Sequence, residues 1–296
     1  MAAKSLKRLR YRLEYVLVCL LQRLFVGLGW KRARWLGGVL GQWVSYLLPS
    51  KRQVADRNLG MIFPQWNAKE RRQMVNRVWR NLGFTAAECF SASPFGREEV
   101  LSKVCFERME LLDSLFRKQQ GVLIHYGHYA NWELAAWGLT RRGVPLAAIV
   151  RRVGNPWLDG WVNSIRKKHG LTVWKTSEMP YPAIRWLRQG KCLVVLMDQN
   201  TSKGELVPFL GRPAHTTTLT ALLSLKFSIP ILPAHGWRDD GKLVVTFDEP
   251  ICYARQREDF YQDVLLLTEE LNRYLERCIL KRPEEWLWIH NRWKPR

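Results

Sequence analysis

The 296-residue chain is long enough to bury a substantial core in one domain or two, and 47% hydrophobic against 25% charged residues excludes a disordered chain. Its formal charge of +21, from 47 Lys and Arg against 26 Asp and Glu, calls for an anionic partner: nucleic acid, an anionic membrane or an acidic substrate. Fifteen tryptophans favour the bilayer, where the indole's apolar body and polar N–H are both satisfied, and no paired zinc ligands or RNP-type strand supports nucleic acid.

The first 52 residues carry eleven Lys and Arg against one acid, Glu14. Their apolar run from Tyr15 to Trp30 is broken by Gln22 and Arg23, which makes it marginal against the roughly 20 apolar residues of a spanning helix. The segment runs into KRARW with no small-residue cleavage site, so it reads as a retained anchor over residues 1–50 rather than a signal peptide. The anchor is either steeply inserted or lies in the interface with Arg23 snorkelling; an amphipathic core helix is the plainer alternative. Residues 51–296 form the catalytic body.

From residue 66 to about 117 the pattern is helical, interrupted by SPFGR. Thereafter apolar β-rich runs (GVLIHY, PLAAIV, LTVW, CLVVLM, IPILPAH) alternate with helical text, and Gly143, Gly170 and Gly190 stand where helix C-caps belong. KLVVTFDEP, after the turn signal RDDGK, reads as a hairpin partner of the strand before it, and a long helix from about 258 to 280 follows. The alternation predicts an α/β fold: a central, mostly parallel sheet flanked by helices. Six scattered cysteines without a CxxC pair suit a reducing compartment, which favours a body on the cytoplasmic side.

Ligands of such sheets gather at the carboxyl ends of the strands, where HYGHYANWE (125–133) falls. On one continuous helix His128 and Glu133 would point about 140° apart. If His128 instead sits on the turn before the helix, Glu133 can accept a hydrogen bond from one ring nitrogen and leave the other as a base. A histidine merely satisfied at a strand end remains open. A metal held by His125, His128 and Glu133 does not match the HExxH spacing. The C-terminal WLWIHNRWK reads as an aromatic lock on the core or as a headgroup contact, and His215 as part of a loop whose threonines cap a helix.

HYGHYANWE resembles the active-site block of the lipid A biosynthesis late acyltransferases, a branch of the lysophospholipid acyltransferase-like superfamily with its His-x4-Asp/Glu motif. IVRRVGNPWLD, LMDQNTSKGELVPFLGRPAHTTT and RPEEWLWIHNRWK resemble further blocks of that family in the same order. Arg152 and Leu219-Thr220 depart from its pattern. The resemblance implies a glycerolipid acyltransferase-like fold and transfer of a fatty acyl chain from an acyl carrier protein thioester to a hydroxyl, expected on a 3-hydroxyacyl chain of a lipid A precursor. It implies His128 as general base and Glu133 as its partner, with Arg151 and Asp198 binding substrate; a structural Arg151–Asp198 pair is the alternative. The implied partners are acyl carrier protein, an anionic glycolipid and inner-membrane lipids, without metal or resident cofactor. A lysophospholipid or mannosylated glycolipid acceptor, or a coenzyme A donor, is the alternative reading.

Overall fold

The computed structural model describes residues 2–92, 98–253 and 257–294, so the SPFGR break lies outside the described residues. Four helices open the chain: α1 (Ala2–Leu28), α2 (Trp30–Leu47), α3 (Pro49–Ile62) and α4 (Ala68–Ala92). Glycines set how two of them meet. A Cβ at Gly83 of α4 would stand 2.0 Å from the Gly37 carbonyl oxygen, and one at Gly41 2.3 Å from that of Trp79. The α2 and α4 backbones therefore touch where no side chain intervenes.

After α5 (Glu98–Leu101) come β1 (Val104–Glu107), α6 (Met109–Arg117), β2 (Val122–Tyr126), α7 (Trp132–Arg141), β3 (Leu146–Val150), α8 (Pro156–Lys168) and β4 (Thr172–Lys175). Then follow a 3-10 turn, Thr176–Glu178, and α9 (Tyr181–Arg188), β5 (Cys192–Leu196), β6 (Glu205–Phe209), β7 (Arg212–Thr216) and α10 (Leu219–Phe227). The chain ends with β8 (Ile231–Asp239), β9 (Lys242–Phe247), α11 (Phe260–Lys281) and a second 3-10 turn, Pro283–Glu285. Seven strands form one sheet in the order β1-β9-β8-β2-β5-β3-β4. The five from β8 to β4 run parallel, while β9 pairs antiparallel with β8 as the predicted hairpin and carries β1 parallel beside it.

This is the expected α/β architecture. All five residues of β2 are buried, as a continuous apolar run covered on both faces should be. Gly143, Gly170 and Gly190 adopt positive φ just past α7, α8 and α9, the left-handed backbone that ends a helix. Two expectations change. The helical reading of residues 66–117 missed β1, a four-residue strand too short to show a period. The loop around His215 is instead a second, two-stranded sheet of β6 and β7; of the threonines after it, Thr218 at the N-cap makes no side-chain cap bond, while Thr217 accepts from the Leu219 N–H at 3.4 Å.

The N-terminal segment also departs from one expectation. Among the described residues no helix is long and apolar enough to cross a membrane, so the steeply inserted anchor is unsupported. α1 packs one face inward through Gln22 and Phe25, and its Asn155 partner on the body donates to the Tyr11 carbonyl and the Glu14 carboxylate. Its other face leaves Leu6, Leu9, Leu13, Val16, Leu17, Leu20 and Leu24 exposed.

Candidate active site

The register of two neighbouring strands builds the centre. In the parallel pair β2–β5, Tyr126 stands opposite Leu196, the last residue of each strand. Two residues beyond those ends lie His128 and Asp198, which therefore emerge side by side at the carboxyl edge of the sheet. His128 Nδ1 lies 2.8 Å from Asp198 Oδ1, and the His128 backbone N–H donates to Asp198 Oδ2 at 2.6 Å. The indole N–H of Trp286 donates to the same Oδ2 at 2.7 Å. Gly127 keeps this crossing close: a Cβ there would stand 3.2 Å from Asp198 Oδ2, which would have to give by a few tenths of an ångström.

Burial opposes charge on Asp198, but the attraction of His128 and the hydrogen bonds from its ring, its backbone and Trp286 prevail and hold the carboxyl down at about 2. With Asp198 ionised, Nδ1 carries the proton and donates, leaving the Nε2 lone pair free to act as an acceptor. The Gln199 side-chain amide fills it, its Nε2 donating to His128 Nε2 at 3.1 Å.

The turn that carries His128 is fixed on every side. Ala130 adopts φ 51 and donates its N–H to the Glu285 carbonyl at 2.9 Å, and Tyr129 bridges to Trp286. Asn131 caps α7 by accepting from the Leu134 N–H at 3.0 Å, while its own amide donates to buried Glu88 at 2.8 Å. His128 thus stands on the turn between β2 and α7, just past the strand as expected.

Glu133 does not meet it. The α7 side chain against the imidazole is Trp132, whose ring lies edge-on at 5.0 Å. Glu133 turns to α8, where Arg166 Nε donates to its two oxygens at 3.0 and 3.2 Å and the terminal guanidinium nitrogen also pairs with it. Burial disfavours charge on Arg166, but the bonds and charge of Glu133 win and raise its pKa. The expected His128–Glu133 hydrogen bond is therefore replaced by two separate contacts, His128–Asp198 and Glu133–Arg166. His128 and Glu133 nonetheless line the same cavity of ≈ 380 Å³. Its inner wall is apolar, including Ile124, Ala136, Leu139, Ala148, Val245 and Phe247.

Arg151 lines that cavity too, but its side chain is exposed and reaches the Asn200 carbonyl only at 3.5 Å. The alternative Arg151–Asp198 pair does not form, because the Asp198 oxygens are already engaged by His128 and Trp286. His125 points to the opposite side of the sheet, its Nε2 3.0 Å from the Leu271 carbonyl; burial drives its pKa down to about 4, so it stays neutral. The two histidines do not converge, and among the described residues no group of three His, Cys, Asp or Glu is placed to hold a metal.

The C-terminal block turns inward rather than towards headgroups. His290 Nε2 accepts from the Asn200 N–H at 2.9 Å, and burial lowers its pKa to about 4. Arg292 is fully buried, donating to the His215 carbonyl and the Thr216 hydroxyl at 2.5 Å each. Sequence reasoning left Gln199 and Trp286 without a place in the centre. A usable signal existed: His128 and Asp198 each stand two residues past an apolar strand, so adjacent strands would align them.

The chain is similar in sequence to characterised proteins over nearly its full length. Residues 2–295 match the family profile described as bacterial lipid A biosynthesis acyltransferase. The chain is 24% identical over 259 residues to lipid A biosynthesis acyltransferase 2 of Shigella flexneri, covering 84% of this chain and 80% of that protein. It is 24% identical over 260 residues to the lipid A biosynthesis myristoyltransferase of Escherichia coli (strain K12), covering 84% and 77%. With the lipid A biosynthesis lauroyltransferase of the same strain it shares 25% over 273 residues, covering 88% and 85%.

Proposed function

Because the chain belongs to the bacterial lipid A biosynthesis acyltransferase family, we propose that it transfers a fatty acyl chain from an acyl carrier protein thioester to a hydroxyl on a lipid A precursor, where a 3-hydroxyacyl chain supplies that hydroxyl. The observation that carries this reading is the His128–Asp198 pair at the lip of an apolar cavity. Asp198 holds the imidazole in the Nδ1–H tautomer and stabilises the imidazolium that forms, as the carboxylate of a hydrolase triad does. Nε2 takes the proton of the acceptor hydroxyl as its oxygen attacks the thioester carbonyl. The tetrahedral intermediate then collapses to the ester, and the thiolate leaves with the proton that Nε2 returns.

The acyl chain occupies the apolar inner wall of the cavity, where burying methylenes contributes about 0.8 kcal/mol each. Arg151 and Arg152, both exposed beyond β3, supply charge for the anionic part of the acceptor. Glu133 serves through Arg166, keeping that guanidinium in the cavity wall. The membrane is the inner membrane, met from its cytoplasmic face by α1 lying in the interface. The exposed stripe from Leu6 to Leu24 is bordered by Arg12 and Arg23 on one side and Arg10 on the other, an apolar wedge with cationic edges. The surplus of positive charge also suits an acidic carrier protein.

The test is acyl transfer by purified protein from acyl carrier protein and coenzyme A thioesters to a lipid A precursor, a lysophospholipid and a mannosylated glycolipid, with mass spectrometry of the products. Transfer to the lipid A precursor from the carrier thioester is expected, and His128→Ala is expected to abolish it while the protein stays folded by circular dichroism, with a lowered melting temperature because buried Asp198 loses its ring partner. Full turnover by a folded His128→Ala protein would overturn the mechanism; products on another acceptor alone would reassign the substrate.

A further inference from the structure

Gln199 sits where an acceptor hydroxyl must arrive. Its amide N–H donates to His128 Nε2 at 3.1 Å, and Nε2 is the one imidazole nitrogen left as an acceptor once Asp198 engages Nδ1. A hydroxyl that is to give Nε2 its proton must first displace this amide. The displaced N–H needs a new acceptor, and the reaction creates one. Once the hydroxyl donates its O–H to Nε2 and its oxygen approaches the thioester carbon, the carbonyl oxygen lies one bond further, beside the place the amide has left.

Three other donors near the base are committed elsewhere. The His128 backbone N–H is held by Asp198, the Arg166 guanidinium is spread over Glu133, and Arg151 is exposed and leans on the Asn200 carbonyl. Gln199 itself is anchored at both flanks, because Asp198 is locked by His128 and Trp286 and the Asn200 N–H by His290. Its side chain is therefore delivered from a rigid base, the arrangement that makes an oxyanion donor effective.

We propose that Gln199 is a catalytic residue with two successive acceptors: His128 Nε2 in the free enzyme, and the developing oxyanion of the thioester once the acceptor hydroxyl has taken its place. This rests on the thioester-transfer reading given above. The hydroxyl proton passes to Nε2, the C–O bond forms, and the carbonyl electron pair moves onto the oxygen that Gln199 bonds. Collapse breaks the C–S bond, and the Nε2 proton goes to sulfur.

The experiment compares wild type, Gln199→Leu and Gln199→Glu in steady-state transfer from carrier thioester to lipid A precursor across pH, with thermal melting beside it. Gln199→Leu should lose about 10²–10³-fold in kcat. Its acceptor KM should hold or fall, since no amide competes for Nε2. Gln199→Glu keeps the shape without the donor, so it should lose kcat similarly. It should also move the acid limb of the pH profile upward, because a carboxylate beside Nε2 favours the imidazolium. Wild-type kcat in Gln199→Leu, or a raised KM with kcat intact, overturns the proposal. Should the leucine variant fail to fold, an unmoved acid limb in Gln199→Glu overturns it instead. Wild type that transfers from no thioester overturns the functional reading together with this one, whereas active wild type with a fully active Gln199→Leu removes Gln199 alone.

Discussion

Asp198 is only 2% exposed, and three donors converge on it, two of them from the residue it orients. A carboxylate held at about 2 rather than the ordinary 3.8 contributes stability that is fully present above pH 4 and is lost as pH falls through 2. The shift corresponds to about 2 kcal/mol. Asp198→Asn should therefore flatten part of the acid denaturation profile, read by urea unfolding at pH 5 and pH 2. The same change lets the amide donate to Nδ1 and reverses the tautomer. Turnover is expected to drop on the order of 10³–10⁴-fold, the scale seen when a triad carboxylate becomes an amide. A variant that keeps both its acid slope and its turnover would show that Asp198 is neither ionised nor orienting.

At this scale the sequence was partly legible. His128 could be placed on a turn because it falls just past an apolar strand and before helical text, and the structure puts it there. The choice of carboxylate was not legible, because it depends on strand order: residues 70 positions apart become neighbours only when β5 lies beside β2. Glu133, five positions away, looks closer in sequence and is directed to a different helix.

Among the elements, α4 does more than cover the sheet. Its Glu88 is 2% exposed and receives Arg238 from β8 at 2.9 Å, Arg34 from α2 at 3.1 Å, and the Asn131 amide from the cap of α7. Arg238 also pairs with Glu285 at 2.6 Å. This network ties the opening helices to the catalytic turn through charges paired on buried Glu88. Removing one member strands the others, so Glu88→Ala should cost about 3–5 kcal/mol in urea denaturation. A loss below 1 kcal/mol would mean that solvent already screens the cluster. None of this was readable from α4 itself, whose Glu88 looks like one more polar residue in a helical run. By contrast β2, β3 and β5 were plain, since buried parallel strands read as unbroken apolar text. β6 and β7, carrying Pro208 and Pro213 and alternating buried with open positions, read as loop.

For the molecule as a whole, the proposed function has the basic and apolar surfaces act together at a lipid boundary. α1 offers an apolar stripe edged by arginines, and α2 adds exposed Trp35, Trp43 and Tyr46. Each leucine withdrawn from lipid forfeits about 1.5–3 kcal/mol, so Leu13→Asp with Leu17→Asp should weaken vesicle binding by about 100-fold or more. Turnover of detergent-dispersed substrate should be retained. Flotation with anionic vesicles at low and high salt reads both contributions, because screening removes only the electrostatic one. Unchanged flotation of the double variant would detach α1 from the membrane.

Trp286 gives the centre a built-in order of assembly. As the chain leaves the ribosome, β2 and β5 are both available once residue 198 has emerged, and His128 can meet Asp198 from then on. The second oxygen of that carboxylate still lacks its indole donor, and the turn at Ala130 lacks the Glu285 carbonyl that pins it. Both arrive 87 or more residues later, after β8, β9 and α11 have been made. A nascent chain thus passes through a long interval in which its base is present but unbraced. Acyl-transfer competence is acquired late, long after the basic front of the chain, with its apolar stripe, has emerged.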